Sequence, residues 1–174
     1  MYVLKPNEKT TPVMVYTRDA LIHGKVVTKE AVRVNIWLRT EGAPNYLHLL
    51  EAQMIHFGGS AAKSFKYVEM FFPKEQVIGF HPAPGVESEL DYGEDELANR
   101  QMTEVNVLLG SFACKSKIRV SSQTSFGNSL EVARTEWMSI YDAEITNPYL
   151  PKMDVQVPLL LIRPDQAVFG TVEM

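Results

Sequence analysis

The chain has 174 residues, 45% of them apolar and 22% charged, the proportions of an ordinary folded protein, which rule against extended disorder and leave room for one domain or two small ones. The net charge is only −4, which speaks against a protein held to nucleic acid by a basic surface. A single cysteine, Cys114, permits no internal disulfide, and no stretch approaches the roughly 18 apolar residues of a membrane span.

In chain order, residues 1–10 carry Lys5, Glu8 and Lys9 and no apolar run, so they read as a tail and not as a signal peptide. The expectation is a soluble, cytoplasmic protein. Residues 11–81 hold short runs rich in β-branched and aromatic residues: Val13 and Val15, Leu21-Ile22 before Gly24, Val26-Val27, Tyr46 to Ile55, Tyr67 to Phe72, and Val77 to Phe80. Such runs, bounded by Gly, Pro, Asn and Asp, are strand signals. The stretch Arg33 to Arg39 is ambiguous, because Val34, Ile36 and Leu38 alternate like a strand. His81-Pro82-Ala83-Pro84-Gly85 ends this unit.

Residues 82–102 form an acidic linker. Glu87, Glu89, Asp91, Glu94, Asp95 and Glu96 stand against a single Arg100. The acidity of the chain is thus concentrated here, and the bodies on either side are nearly neutral. Glu94 to Gln101 reads equally as two helical turns, with acids at the positive end of the dipole, or as solvated linker. Residues 103–170 then return to strand signals at Val105 to Leu109, Phe112 to Val120, Trp137 to Ile145, Val155 to Ile162 and Ala167 to Phe169.

The second body repeats the first about 90 positions later. Val13-x-Val15 returns as Val105-x-Val107, and Arg39-Thr40-Glu41 as Arg134-Thr135-Glu136, each followed by an aromatic, Tyr46 or Trp137. Leu49-Leu50-Glu51-Ala52 matches Ile140-Tyr141-Asp142-Ala143. Phe71-Phe72-Pro73 matches Ile162-Arg163-Pro164, and Val77-x-Gly79 matches Val168-x-Gly170. The matches keep chain order, as an internal duplication requires. The spacing of the strands suits a small barrel or sandwich.

These residues carry a resemblance. Ile162-Arg163-Pro164-Asp165-Gln166-Ala167-Val168 resembles the second signature of Sm and Sm-like proteins, and Ile140-Tyr141-Asp142-Ala143-Glu144 is similar to the end of the first. Repeat 1 has weaker versions, and its Ile22-His23-Gly24-Lys25-Val26 resembles the glycine-centred second strand of that family. The whole chain also resembles uncharacterised bacterial proteins with Sm-like barrels. The fold implied is all-β: two tandem Sm-like small β-barrels from an internal duplication, with repeat 1 at 11–81 and repeat 2 at 103–170. Fold of this kind does not fix function.

The family binds RNA bases through an Asn in the third strand and an Arg-Gly in the second signature. Here the Asn positions hold Tyr46 and Trp137, the glycine is Pro164, and of the base-binding set Arg163 remains. Tyr46 and Trp137 read either as stacking platforms or, preferably, as core aromatics opening a buried strand. Arg39 and Arg134 read as a paired site, or preferably as structural Arg–Glu pairs of small worth. Arg39, Tyr46, Arg134, Trp137 and Arg163 are therefore the candidate binding residues.

No catalytic or metal constellation is visible in the sequence. His23, His48, His56 and His81 show no metal-ligand spacing and read as surface residues. Cys114 reads as a small buried apolar residue. Gly58-Gly59-Ser60-Ala61-Ala62-Lys63-Ser64 lacks phosphate-loop spacing and reads as a strand connection. No cofactor or enzymatic activity is expected. The expected function is a non-enzymatic interaction or structural module. RNA binding is the first alternative, and small-ligand binding the second. Self-association is expected through apolar outer strands, Val68, Met70 and Phe72 in repeat 1 and Val155, Val157 and Leu159 in repeat 2. One barrel junction would lie inside the chain, and a ring of three chains is the form the resemblance implies.

Overall fold

A computed structural model describes residues 2–86, 92–93 and 98–171. Ten strands account for most of it: β1 Glu8–Tyr16, β2 Ala20–Lys29, β3 Tyr46–His56, β4 Lys63–Pro73, β5 Gly79–Pro82, β6 Arg100–Leu109, β7 Phe112–Ser121, β8 Met138–Asn147, β9 Leu150–Ile162 and β10 Ala167–Thr171. Alternation explains them. In β6 and β7, Val105, Val107, Leu109, Phe112, Cys114, Ile118 and Val120 point to the core, and their neighbours point outward.

All ten strands form one antiparallel sheet in the order β10-β6-β7-β8-β9-β5-β1-β2-β3-β4. The expectation of an all-β chain is met. Two separate closed barrels are not what the sheet shows: it is continuous and open, with β10 and β4 at its ends. The first five strands, read from the join outward, run β5-β1-β2-β3-β4. The second five, read toward the join, run β10-β6-β7-β8-β9. The two halves thus have the same strand order.

The halves also share an irregularity. In the first, Gly24 faces two residues, Glu51 and Ala52, where the β2–β3 ladder shifts. In the second, Ser116 faces Asp142 and Ala143 at the equivalent shift between β7 and β8. Each is a β-bulge. Glu51 and Asp142 take positive φ, 51° and 50°, and each acid meets a lysine, Lys25 at 2.6 Å and Lys117 at 3.0 Å. A small residue follows the acid because space is short: a Cβ on Gly24 would lie 3.3 Å from Ala52 Cβ. The recurring acid–alanine pair in the sequence is therefore the bulge.

The ladders correct two alignments. Phe80 pairs with Val15 and Phe169 with Val107, so Gly79 corresponds to Val168 and not to Gly170. The match of Pro73 shifts as well. Tyr46 pairs with Pro73, while Met138, the residue after Trp137, pairs with Ile162. Pro73 consequently corresponds to Arg163, and Phe71 to Leu161, not to Pro164 and Ile162. Both corresponding residues open a 3-10 turn, Pro73 before Lys74–Gln76 and Arg163 before Pro164–Gln166.

Three further segments bear on the sequence reading. Arg33 to Arg39 is not a strand: Val34–Arg39 is a 3-10 helix that buries Val34, Trp37 and Leu38. That helical spacing overrides the alternation of Val34, Ile36 and Leu38. A short helix not foreseen, α1 (Phe126–Val132), is capped by the Ser125 hydroxyl, which accepts the Asn128 N–H. The helical reading of Glu94 to Gln101 lies partly outside the described residues, and Arg100 and Gln101 belong to β6.

The core forms two clusters, and each draws on both halves. One is built mainly from the second half but includes Tyr16, Leu21, Phe57 and Ile78. The other is built mainly from the first half but includes Trp137, Tyr141, Leu159 and Leu161. At about 1.5–3 kcal/mol for each fully buried large apolar side chain, this sharing binds the halves together.

Candidate interaction surface: an internal junction and two free edges

The halves meet where β9 pairs with β5, Gly79 opposite Ile162 and Phe80 opposite Leu161. The fourth strand of one half thus joins the fifth strand of the other. Leu161, Ile162 and Phe80 are fully buried there. The 3-10 helix Val34–Arg39 packs against this join, and its Trp37 and Leu38 share a core cluster with Trp137 and Leu161.

Polar contacts hold the junction. The Arg163 N–H donates to Ile78 O at 3.0 Å, and its guanidinium donates to Glu75 O at 3.1 Å while pairing with Asp165 at 3.3 Å. Arg39 donates to Ser139 Oγ at 3.1 Å. Lys74 lies 3.6 Å from Glu136, and Arg18 Nε donates to Gln166 Oε1 at 3.1 Å. The β1–β2 and β6–β7 connections also abut. Gly110, at φ +58°, sits so close to Arg18 that a Cβ would fall 2.6 Å from its carbonyl oxygen. Tyr16 and Phe57 each meet Phe112 edge-on, at 4.8 and 5.7 Å. Nothing local in the sequence points to Arg18, Lys74 or Gly110, because their partners lie far away along the chain.

The outer strands differ. β4 is exposed along Lys63–Glu69, and Phe65, Tyr67, Val68 and Phe71 present apolar surface, interrupted by Lys66 and Glu69. Beside it, His48 pairs with Glu69 at 2.7 Å and stacks on Phe71 at 4.6 Å, with Tyr2 edge-on at 4.5 Å. At the other end of the sheet β10 leaves Val168 64% exposed. The expected free edge at Val155, Val157 and Leu159 is corrected, because β9 lies inside the sheet and buries Val157 and Leu159. Pro158 is tolerated within β9 because it faces Asp142, the bulge residue that the ladder skips.

The candidate binding residues are not assembled into one site. Trp137 is 4% exposed and lies in the core, and its indole N–H finds no partner among the described residues. Tyr46, its counterpart, is 57% exposed; the core reading of Tyr46 is therefore corrected. β8 opens at the internal junction and is covered there, whereas β3 opens beside the free edge. Arg39 and Arg163 are clamps of the junction. Arg39 bonds Ser139 across the junction. Arg134 is exposed just beyond α1.

The histidines divide as well. His48 and His56 share β3 but lie on either side of the bulge and meet different acids, Glu69 and Asp19. His81 corrects the surface reading: it is fully buried. Tyr16 OH donates to its Nε2 at 2.8 Å, and its Nδ1–H donates to Pro82 O at 2.6 Å. The carbonyl can only accept, which fixes the proton of the neutral ring on Nδ1. Burial lowers the His81 pKa to about 4, against the opposing pull of the Pro82 carbonyl. Cys114 is buried, and burial pushes its thiol up to about 12, which keeps it protonated and inert at neutral pH.

Among the described residues, no group of three or more His, Cys, Asp or Glu is placed to hold a metal, and no helix is long and apolar enough to cross a membrane. Comparison with known proteins finds no family model, no curated protein and no solved structure that matches the chain.

Proposed function

We propose that the chain is two copies of one five-stranded, Sm-like unit, and that it serves as a non-enzymatic interaction or structural module which also self-associates through its outer strands. The observation that carries this reading is the strand order, repeated in both halves and joined fourth strand to fifth. The matched bulges at Glu51-Ala52 and Asp142-Ala143 and the matched 3-10 turns support duplication. The interaction role is supported by β4, a long outer strand with exposed Phe65, Tyr67, Val68 and Phe71, since uncovered apolar edges invite pairing. Head-to-tail pairing of β4 with β10 closes a ring where the rotation allows, three chains giving six units.

The test is capture of partners by the purified chain, with and without nuclease, using wild type and a Val68→Lys variant that charges the edge. Nuclease-resistant capture that the variant loses supports the reading. Capture abolished by nuclease, or micromolar binding of purified protein to uridine-rich RNA at physiological salt, overturns it in favour of RNA binding.

A further inference from the structure

The internal junction is a template for what the free edges lack. Corresponding positions can be read from the ladders. Phe80 pairs with Val15 and Phe169 with Val107, so Gly79 and Phe80 correspond to Val168 and Phe169. On the other side, Leu161 and Ile162 correspond to Phe71 and Phe72. Leu161 is fully buried, but Phe71 is 60% exposed. Gly79 is buried, but Val168 is exposed. The side chains at the outer edges are apolar, as those at the covered junction are.

One position breaks the likeness. Where the junction has Arg163, the outer edge has Pro73. Arg163 gives the junction a backbone N–H to Ile78 O and a guanidinium to Glu75 O. Proline supplies neither donor. The missing N–H faces the open edge, because the inner side of this turn is already bonded through Lys74 N to Asn45 O at 2.8 Å.

Resting on the self-association reading above, we propose that the partner seated on β4 is the β10 edge of a second copy, with Phe72 opposite Val168 and Phe71 opposite Phe169, and that Pro73 keeps this contact weak by removing the clamp that holds the internal junction. The chain therefore carries one permanent junction and one reversible one of the same design. The backbone already suits the clamp: Pro73 has φ −61° and ψ 125°, and Arg163 has φ −89° and ψ 111°, both extended. An arginine at 73 adopts that conformation without strain, and its donors then face the carbonyls of Asp165 and Ala167 of the second copy, which correspond to Glu75 and Ile78.

The experiment is sedimentation equilibrium on three full-length proteins: wild type, Pro73→Arg, and Pro73→Arg with Phe71→Lys. Circular dichroism checks that each is folded. Pro73→Arg should tighten self-association by about tenfold or more, the worth of a regained charge-assisted hydrogen bond and a backbone one. Adding Phe71→Lys should return it to the wild-type level or below. The proposal is overturned if Pro73→Arg associates no more tightly than wild type, monomers throughout included, or if Phe71→Lys leaves the gain intact. Neither outcome depends on nuclease-resistant capture, so the interaction-module reading stands or falls separately.

Discussion

The covered junction and the outer edges are built from corresponding strands, yet they present opposite surfaces. At the junction Leu161, Ile162 and Phe80 are fully buried, Arg163 is clamped, and the helical turn Val34–Arg39 closes over the seam. At the edges Phe71 and Val168 face outward, Pro73 replaces the arginine, and the segment corresponding to that helical turn is α1, whose last residue, Val132, is 80% exposed. The burial of a residue here is set by what its half meets, not by the residue alone. Two side chains at equivalent positions, Trp137 and Tyr46, show this most directly: one is in the core and the other is on the surface.

That contrast yields its largest expected effect at those two aromatics. Trp137→Ala should cost about 3–5 kcal/mol in chemical denaturation, the range for a buried aromatic truncated to alanine. Tyr46→Ala should cost roughly 0.5 kcal/mol or less, as exposed substitutions do. Equal losses at the two positions would break the comparison between covered and open ends.

A second expected effect, nearly as large, comes from His81, whose partner Tyr16 also packs on Phe112 across the join. Its folded pKa is about 4, below the ordinary 6.5. The unfolded chain therefore takes up the proton more readily. Stability is full above pH 6.5, declines as the pH falls below it, and stops declining on this account below about 4. The total loss is about 3 kcal/mol at roughly 1.36 kcal/mol for each unit of difference. Urea unfolding between pH 7 and 4 should show this slope in wild type and a flatter one in His81→Gln, whose amide carries a donor and an acceptor but does not titrate. Identical slopes would remove His81 as the cause.

The smallest effect sharpens the comparison from the other side, where the halves are alike. Glu51→Gly and Asp142→Gly each lose an exposed lysine pair, worth about 0–1 kcal/mol, and each relieve a positive φ that glycine accepts freely. Both should change stability by less than about 1 kcal/mol, and by similar amounts. A large difference between them, measured by thermal unfolding, would show that the two bulges are not equivalent.

Much of this architecture was legible in the sequence, and the failures have physical causes. The strands followed from alternation, and the recurring pairs Glu51-Ala52 and Asp142-Ala143, matched in the sequence only as a repeat, are the two bulges. Matching Pro73 to Pro164 followed residue identity, but the ladder fixes register by pairing and places Pro73 over Arg163. The segment Val34–Arg39 offered two periodicities, and burial against the join selected the helical one. The environments of Arg39, Trp137 and Arg163 could not be read locally. Each depends on a contact with the other half, and a repeat pattern compares the halves without saying how they touch.

Hydrogen exchange of backbone amides, followed by NMR over a range of protein concentrations, measures the central contrast directly. The amides of Phe80, Leu161 and Arg163 should be strongly protected at every concentration, because the junction is within the chain. Those of Phe71 in β4 and Phe169 in β10 should exchange rapidly in dilute solution and slow together as concentration rises. If β4 and β9 are protected alike in dilute solution, or if β4 and β10 exchange at rates that concentration does not change, the account of one covered junction and two open, matching edges is contradicted.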